Sequence, residues 1–324
     1  MGFTRKLGHV GWAAMLVGGL LLVGCGQGAE GSAEAEGREG TIAVSGAFAL
    51  YPMMIRWGEE YHQLHPEITF DISAGGAGKG LADALSGAVD IGMVSRPIYE
   101  EEIQRGAFWV TVGKDAVLVT INDGNPVADQ LLAQGLRRDT AERIWIKGEV
   151  TTWGEVVDSE VGHAIHVYTR ADACGAAQTW ADYLGGYSQE DLRGIAVQAD
   201  PGLLEAVSRD RLAIGYNNLN FVYDPDTGAP VAGIQVVPLV LDSDSSIEAG
   251  DHYGTKAEMM EAIVEGRYPS PPARDLNLVT RGKPDGAVKD FLEWVLTEGQ
   301  EYLAEVGYVG VGPEQLAESL AKLE

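Results

Sequence analysis

The 324-residue chain predicts an α/β fold built from strand–loop–helix units whose loops face a ligand. Three stretches carry that expectation. Asp71 to Ile98 (DISAGGAGKGLADALSGAVDIGMVSRPI) reads as a strand end, a glycine-rich turn, a short helix and a second strand. Thr41 to Ser45 (TIAVS) is a short strand feeding the small-residue loop GAFALYP, and Ala164 to Tyr168 is another that delivers RADACGAA before a helix. A helix that starts from such a loop offers free N–H groups and a positive dipole end, which suits an anion. Strands alternating with helices in this order argue for a sheet with ligand-facing loops at the carboxyl ends of its strands.

The chain opens with a targeting segment. Arg5 and Lys6 precede an apolar run from Val10 to Val23 that is short and glycine-rich for a membrane span. It ends in Leu22-Val23-Gly24-Cys25, which resembles a bacterial lipobox; that resemblance implies a signal peptide over residues 1–24 and lipid on Cys25. Residues 25–40 lack a large apolar side chain, so they are expected to form a flexible tether. The fold is expected to start at Thr41, outside the cytoplasm.

In the GAFALYP loop, Pro52 suits the first turn of a helix, and Met54, Trp57 and Tyr61 follow at helical spacing as core residues. Ile68, Phe70 and Ile72 alternate as a strand. Leu81 and Leu85 share one face of the next helix, which Gly87 is placed to end. Val110 to Ile121 is a strand that crosses into a second lobe, and Val236 to Leu241 crosses back. Between them, RIWIKGEVTTWGEV reads as a helix end, a glycine turn and a packing Trp153, while Trp180 and Leu184 share a helix face and Leu212 to Tyr216 forms a buried strand. Val288, Phe291, Leu292, Val295 and Leu296 make an apolar helix stripe near the end.

Charge narrows the function. The chain carries 23 basic and 48 acidic residues, and loss of Arg5 and Lys6 with the signal brings the net charge to about −27. Such a balance argues against nucleic acid and against a basic membrane-binding face. An anion must then be held by local donors, which short range and screening allow. Lipidation of Cys25 leaves Cys174 alone, so no intramolecular disulfide is expected. His62, His65, His163, His166 and His252 form no metal-like cluster, and Asp224 to Gly228 reads as a turn rather than a calcium loop. No Ser/His/Asp set or paired carboxylates appear, so no enzyme, metal or cofactor is expected.

Taken together, these motifs resemble the phosphate-binding proteins of bacterial phosphate ABC transporters. GGAGKGLADALSGAVDIGMVSRPI is similar to that family's GGGSGxGIxxLxxGxVDIGxxSRPL, and YTRADACGAAQTW to its SRxxGSGTRxTF. IWIKGEVTTWGEV, AIGYNNLNFV and the stretch from Met259 to Val311 follow family patterns in the same order, so the resemblance covers nearly all of Thr41 to Gly312. It implies the two-lobed type II periplasmic binding protein fold, with lobe 1 over residues 41–118 and 242–324, lobe 2 over 119–241, and a ligand cleft between them. It implies a small oxyanion as ligand, an ABC permease as partner, a monomer and a lipid-anchored extracytoplasmic location.

Carried over by position, the resemblance places Leu50 and Tyr51, Ala77 and Gly78, and Ser95 and Arg96 at the anion from the first lobe. From the second lobe it places Arg170, oriented by Asp172, with Cys174, Gly175 and Ala176. The chain departs from the family where hydroxyls are usual, with Leu50, Ala77, Cys174 and Ala176 instead. Each lost hydrogen bond to a charged oxygen is worth about 1.5–3 kcal/mol, so weak phosphate binding is one expectation. The alternatives are an organic anion, arsenite on a Cys174 thiolate, or a sensor or interaction lipoprotein on the same fold. For Cys174 the plainer reading, a small buried residue in the place of serine, is preferred.

Overall fold

In a computed structural model of the chain the described residues are 40–240, 247 and 252–324. The expected signal segment, Cys25, the tether up to residue 39 and the expected boundary at Asp242 lie outside them. Eleven strands are described: β1 (Gly40–Gly46), β2 (Ile68–Ala74), β3 (Ile91–Val94), β4 (Ala107–Asn122), β5 (Leu136–Arg137), β6 (His166–Arg170), β7 (Ile195–Val197), β8 (Ala213–Asn218), β9 (Ile234–Val237), β10 (Leu239–Val240) and β11 (Ala273–Arg281). Nine of them form one sheet in the order β2-β1-β3-β11-β4-β8-β6-β7, with β9 also on β4, while β10 and β5 pair separately.

The sheet has a parallel group at each end and antiparallel strands in the middle. β1 runs parallel to β2 and β3, and β6 runs parallel to β7 and β8. The long strand β4 joins the two groups. Its first part pairs antiparallel with β11 as far as Ala116–Ala273, and from Val117–Asn218 onward it pairs with β8. β9 adds to the same end, with Val119 opposite Val237.

Three cores are described: the two largest lie on either side of this division, in the two lobes, and the third gathers Ala116, Leu118, Leu203, Met259 and Ala273 around the change of partner. The first gathers Ile42, Met54, Trp57, Leu81, Met93, Val110, Leu278 and Phe291. Helix Tyr51–Leu64 has Pro52 in its first turn and buries Met53, Met54, Trp57 and Tyr61 on one face. Trp57 completes this packing by donating its indole N–H to the Gly299 carbonyl at 2.8 Å. Helix Ala77–Ser86 buries Leu81 and Leu85 and ends at Gly87, whose φ of 75° needs a residue without a β-carbon. Helix Gly286–Leu296 supplies Phe291, Leu292, Val295 and Leu296.

The second core holds Trp145, Trp153, Trp180, Leu184, Ile214 and Tyr216. Trp180 stacks on Tyr183 and on Tyr216 with ring centroids 5.2 and 6.0 Å apart. Aromatic side chains remove about 150–250 Å² each from water, so this cluster dominates the packing of its half. RIWIKGEV forms a wide π turn, Arg143–Lys147, closed by Gly148 at φ 67°. A capping box of Thr152 and Glu155 then starts helix Trp153–Val157. No described helix is long and apolar enough to cross a membrane.

Candidate functional site

Two helix starts and two strand ends meet where the halves face each other. Ser95 follows β3, and helix Ala77–Ser86 begins next to it from the first core. Arg170 ends β6, and helix Gly175–Gly185 begins five residues later from the second. The loops touch directly. The Gly78 N–H donates to the Ala173 carbonyl at 3.3 Å. Gly76 (φ 93°) lies so close that a β-carbon there would stand 2.5 Å from the same carbonyl. A β-carbon on Gly175 would stand 2.2 Å from Ser95 Oγ and 2.4 Å from the Ser95 carbonyl oxygen. Glycine at these positions is therefore a condition of the close approach.

Arg170 is the cation at this meeting point, and its side chain is fully buried. Asp172 takes it side-on, with Nε to Oδ1 at 2.9 Å and Nη2 to Oδ2 at 2.6 Å. Asp200, itself fully buried, takes Nη1 at 2.6 Å. Burial works against the charge of Arg170, but Asp200 foremost, with Asp172, holds its pKa above the ordinary value. These bonds use three of the five guanidinium N–H groups, leaving one on each terminal nitrogen unused. The Phe48 ring lies 5.6 Å from the guanidinium carbon and packs edge-on against Phe221.

The expected site residues divide into three groups. Gly78, Ser95, Arg170, Asp172, Cys174 and Gly175 come together in the arrangement just described. Ala77 and Ala176 sit in the first turns of the two helices, fully or nearly fully buried, and contribute backbone rather than side-chain donors.

Leu50, Tyr51 and Arg96 stand apart from this arrangement. Leu50 is fully buried in the first core, and its N–H is held by the Ala47 carbonyl at 3.1 Å. The Tyr51 N–H closes the same turn on the Phe48 carbonyl. A short 3-10 turn, Phe48–Leu50, thus uses both donors before the helix begins, and Phe48 is the residue of that loop that reaches Arg170. Arg96 is drawn away by Glu102, which it grips at 3.0 and 2.7 Å, and it lies over the Tyr99 ring.

Cys174 takes the part of a serine. It is the N-cap of helix Gly175–Gly185, and its sulfur accepts the Ala177 N–H at 3.4 Å. Burial pushes the thiol up to about 12, so it stays protonated at neutral pH and offers no thiolate to a soft ligand. Among the described residues no group of three or more His, Cys, Asp or Glu side chains is placed to hold a metal ion.

Sequence reasoning missed the groups behind Arg170. Asp200 accepts from the Asn218 backbone N–H at 2.9 Å and from its side-chain amide at 2.8 Å. The Asn218 amide oxygen accepts in turn from Arg274, which pairs with the buried Asp115 at 3.2 Å and donates to Thr179 at 3.1 Å. Nothing local marks Asp200 or Arg274 as special, because each sits in an ordinary-looking helix start or strand. One backbone clue exists: Ala199 carries φ 61° and gives its N–H to Asp172 Oδ1 at 3.0 Å. Relief of that left-handed strain predicts that Ala199→Gly stabilises the protein by about 0.5–1 kcal/mol, read as a higher urea midpoint.

A family model described as a PBP superfamily domain matches residues 31–298. The phosphate-binding protein PstS of Methanocaldococcus jannaschii is 26% identical over 365 residues, covering 94% of this chain and 91% of that one. The phosphate-binding protein PstS of Bacillus subtilis is 24% identical, covering 90% of each. Among solved structures, a putative phosphate ABC transporter substrate-binding protein with bound phosphate from Clostridium perfringens superposes with TM-score 0.68 at 21% identity. That match covers 84% of this chain and all of the other. An ABC-type phosphate transport receptor from Vibrio cholerae superposes with TM-score 0.61 at 20% identity over 84% of this chain and all of the other. These structures share the fold.

Proposed function

We propose that this chain, which belongs to the PBP superfamily, is the substrate-binding protein of a phosphate ABC importer and holds phosphate between its lobes. The observation that carries this reading is Arg170, buried between two helix starts with two N–H groups unused and its plane fixed by Asp172 and Asp200. A fixed guanidinium fork matches an oxyanion, and first-turn N–H groups of both helices, other than those of Gly78 and Ala177, add short-range donors. Those donors act at hydrogen-bond range, where the strongly acidic envelope is screened. Relatives that carry the name phosphate-binding protein over nine-tenths of the chain point to the same ligand. The role is binding and delivery to a permease rather than catalysis.

The finer parts of the proposal rest on the sequence. Lobe 1 is assigned residues 41–118 and 242–324, and lobe 2 residues 119–241. The contact set is Gly78, Ser95, Arg170, Asp172, Cys174 and Gly175, with Ala77 and Ala176 through their backbone. The chain is an extracytoplasmic monomer tethered to a membrane through lipid on Cys25.

Calorimetry of the chain against phosphate, arsenate, sulfate, a phosphonate and arsenite tests the ligand. Phosphate is expected to bind best, and Arg170→Lys to weaken it by roughly ten- to a hundredfold, because an ammonium cannot keep both carboxylates and the ligand in one plane. An absence of heat with every anion, or an unchanged affinity in Arg170→Lys, would overturn the assignment.

A further inference from the structure

Arg274 lies outside the loops that meet at Arg170, yet hydrogen bonds connect the two guanidinium groups. It stands on β11, where β4 changes partner: Ala116 pairs with Ala273, and the next residue, Val117, pairs with Asn218. Its side chain is 4% exposed and reaches three elements, bonding Asp115 on β4, Thr179 on helix Gly175–Gly185 and Asn218 at the end of β8. Asn218 passes the connection on through both of its donors to Asp200, and Asp200 holds Nη1 of Arg170.

Each link in this series has a direction. Asn218 meets a guanidinium on one side and a carboxylate on the other, so its amide oxygen must face Arg274 and its NH₂ must face Asp200. Turning the amide over would set donor against donor and acceptor against acceptor. With the amide fixed, Asp200 has one favourable orientation, and that orientation selects which N–H groups of Arg170 stay free. Packing does not require such a series. A buried ion pair such as Arg274–Asp115 adds little or no stability over apolar side chains of the same volume. What apolar residues could not do is dictate the orientation of Asn218.

We infer that Arg274, acting through Asn218 and Asp200, is a positioning residue for the anion site: it holds the Arg170 guanidinium in the plane that leaves two N–H groups for the ligand. The inference rests on the reading of Arg170 as the ligand-facing cation, and its test separates the two.

Two measurements on the full chain decide it. In the first, phosphate is titrated into Arg274→Lys, Arg170→Lys and the double variant. Lysine keeps a charge beside Asp115 but cannot fork to Thr179 and Asn218 together. Arg274→Lys is expected to weaken phosphate binding roughly tenfold, and to add little once Arg170 is already lysine. Effects that multiply in full in the double variant would overturn the inference, because a residue acting only on overall folding has no reason to act through Arg170. In the second, hydrogen exchange of the Arg170 Nε–H is followed by ¹⁵N NMR without ligand, in Arg274→Lys and Asn218→Ala. The expectation is exchange faster by on the order of tenfold in both, as the fixed pair with Asp172 loosens. Unchanged exchange in folded variants overturns the inference. A wild-type chain that binds no phosphate refutes the ligand assignment alone, while the exchange rates still decide the role of Arg274.

Discussion

Gly175→Ala is expected to weaken phosphate binding by roughly ten- to a hundredfold and to cost the ligand-free protein about 1–3 kcal/mol. The added β-carbon would lie 2.2 Å from Ser95 Oγ and 2.4 Å from the Ser95 carbonyl. The hydroxyl can rotate away, but the carbonyl belongs to the backbone at the end of β3 and cannot. Ser95 follows a strand of the first core and Gly175 starts a helix of the second, so the overlap is relieved by parting the two halves. Parting them removes half of the donors from an anion held between them. Calorimetry with phosphate and a melting curve without it make the comparison. Wild-type affinity in Gly175→Ala would show that the bound state does not bring Ser95 against this helix.

The second large effect concerns Asp115. Its side chain is 1% exposed and pairs with the equally hidden Arg274. Asp115→Ala leaves that guanidinium charged and buried without its carboxylate, which is expected to cost about 3–5 kcal/mol of stability in urea titration. The double variant Asp115→Leu/Arg274→Met is expected to recover most of the loss, since the cost lies in the orphaned charge. A small loss in the single variant would mean that water reaches Arg274.

The same carboxyl sets a pH dependence. Burial, opposed by Arg274 and by the Ala116 backbone N–H, pushes it up to about 6. Between its ordinary value near 3.8 and about 6 the folded protein therefore binds a proton that the unfolded chain does not. The contribution of this group to stability is full below that window and is lost as pH rises through about 6. Asp115→Asn, which cannot titrate, is expected to show a flatter stability profile across the window.

The local pattern of the chain was enough for its elements and its family. Apolar residues at Met54, Trp57 and Tyr61, the alternation at Ile68, Phe70 and Ile72, and the stop at Gly87 are short-range signals. Each produces the same strand or helix whatever lies across the fold. The loops around Gly78, Ser95 and Gly175 were legible for the same reason, since small residues between a strand and a helix declare an exposed helix start. The Arg170–Asp172 pair was legible because its two members are two residues apart.

Tertiary structure decided what surrounds that pair. Asp200, Asn218, Arg274 and Asp115 are far apart in sequence, and only the partner change along β4 brings them into one set of hydrogen bonds. Leu50 and Arg96 show the converse. By family position both are expected at the anion, while the structure gives Leu50 a place in the core and Arg96 a glutamate six residues away. Backbone conformation follows from neighbours along the chain, whereas the direction of a long or charged side chain follows from the nearest compensating group in space.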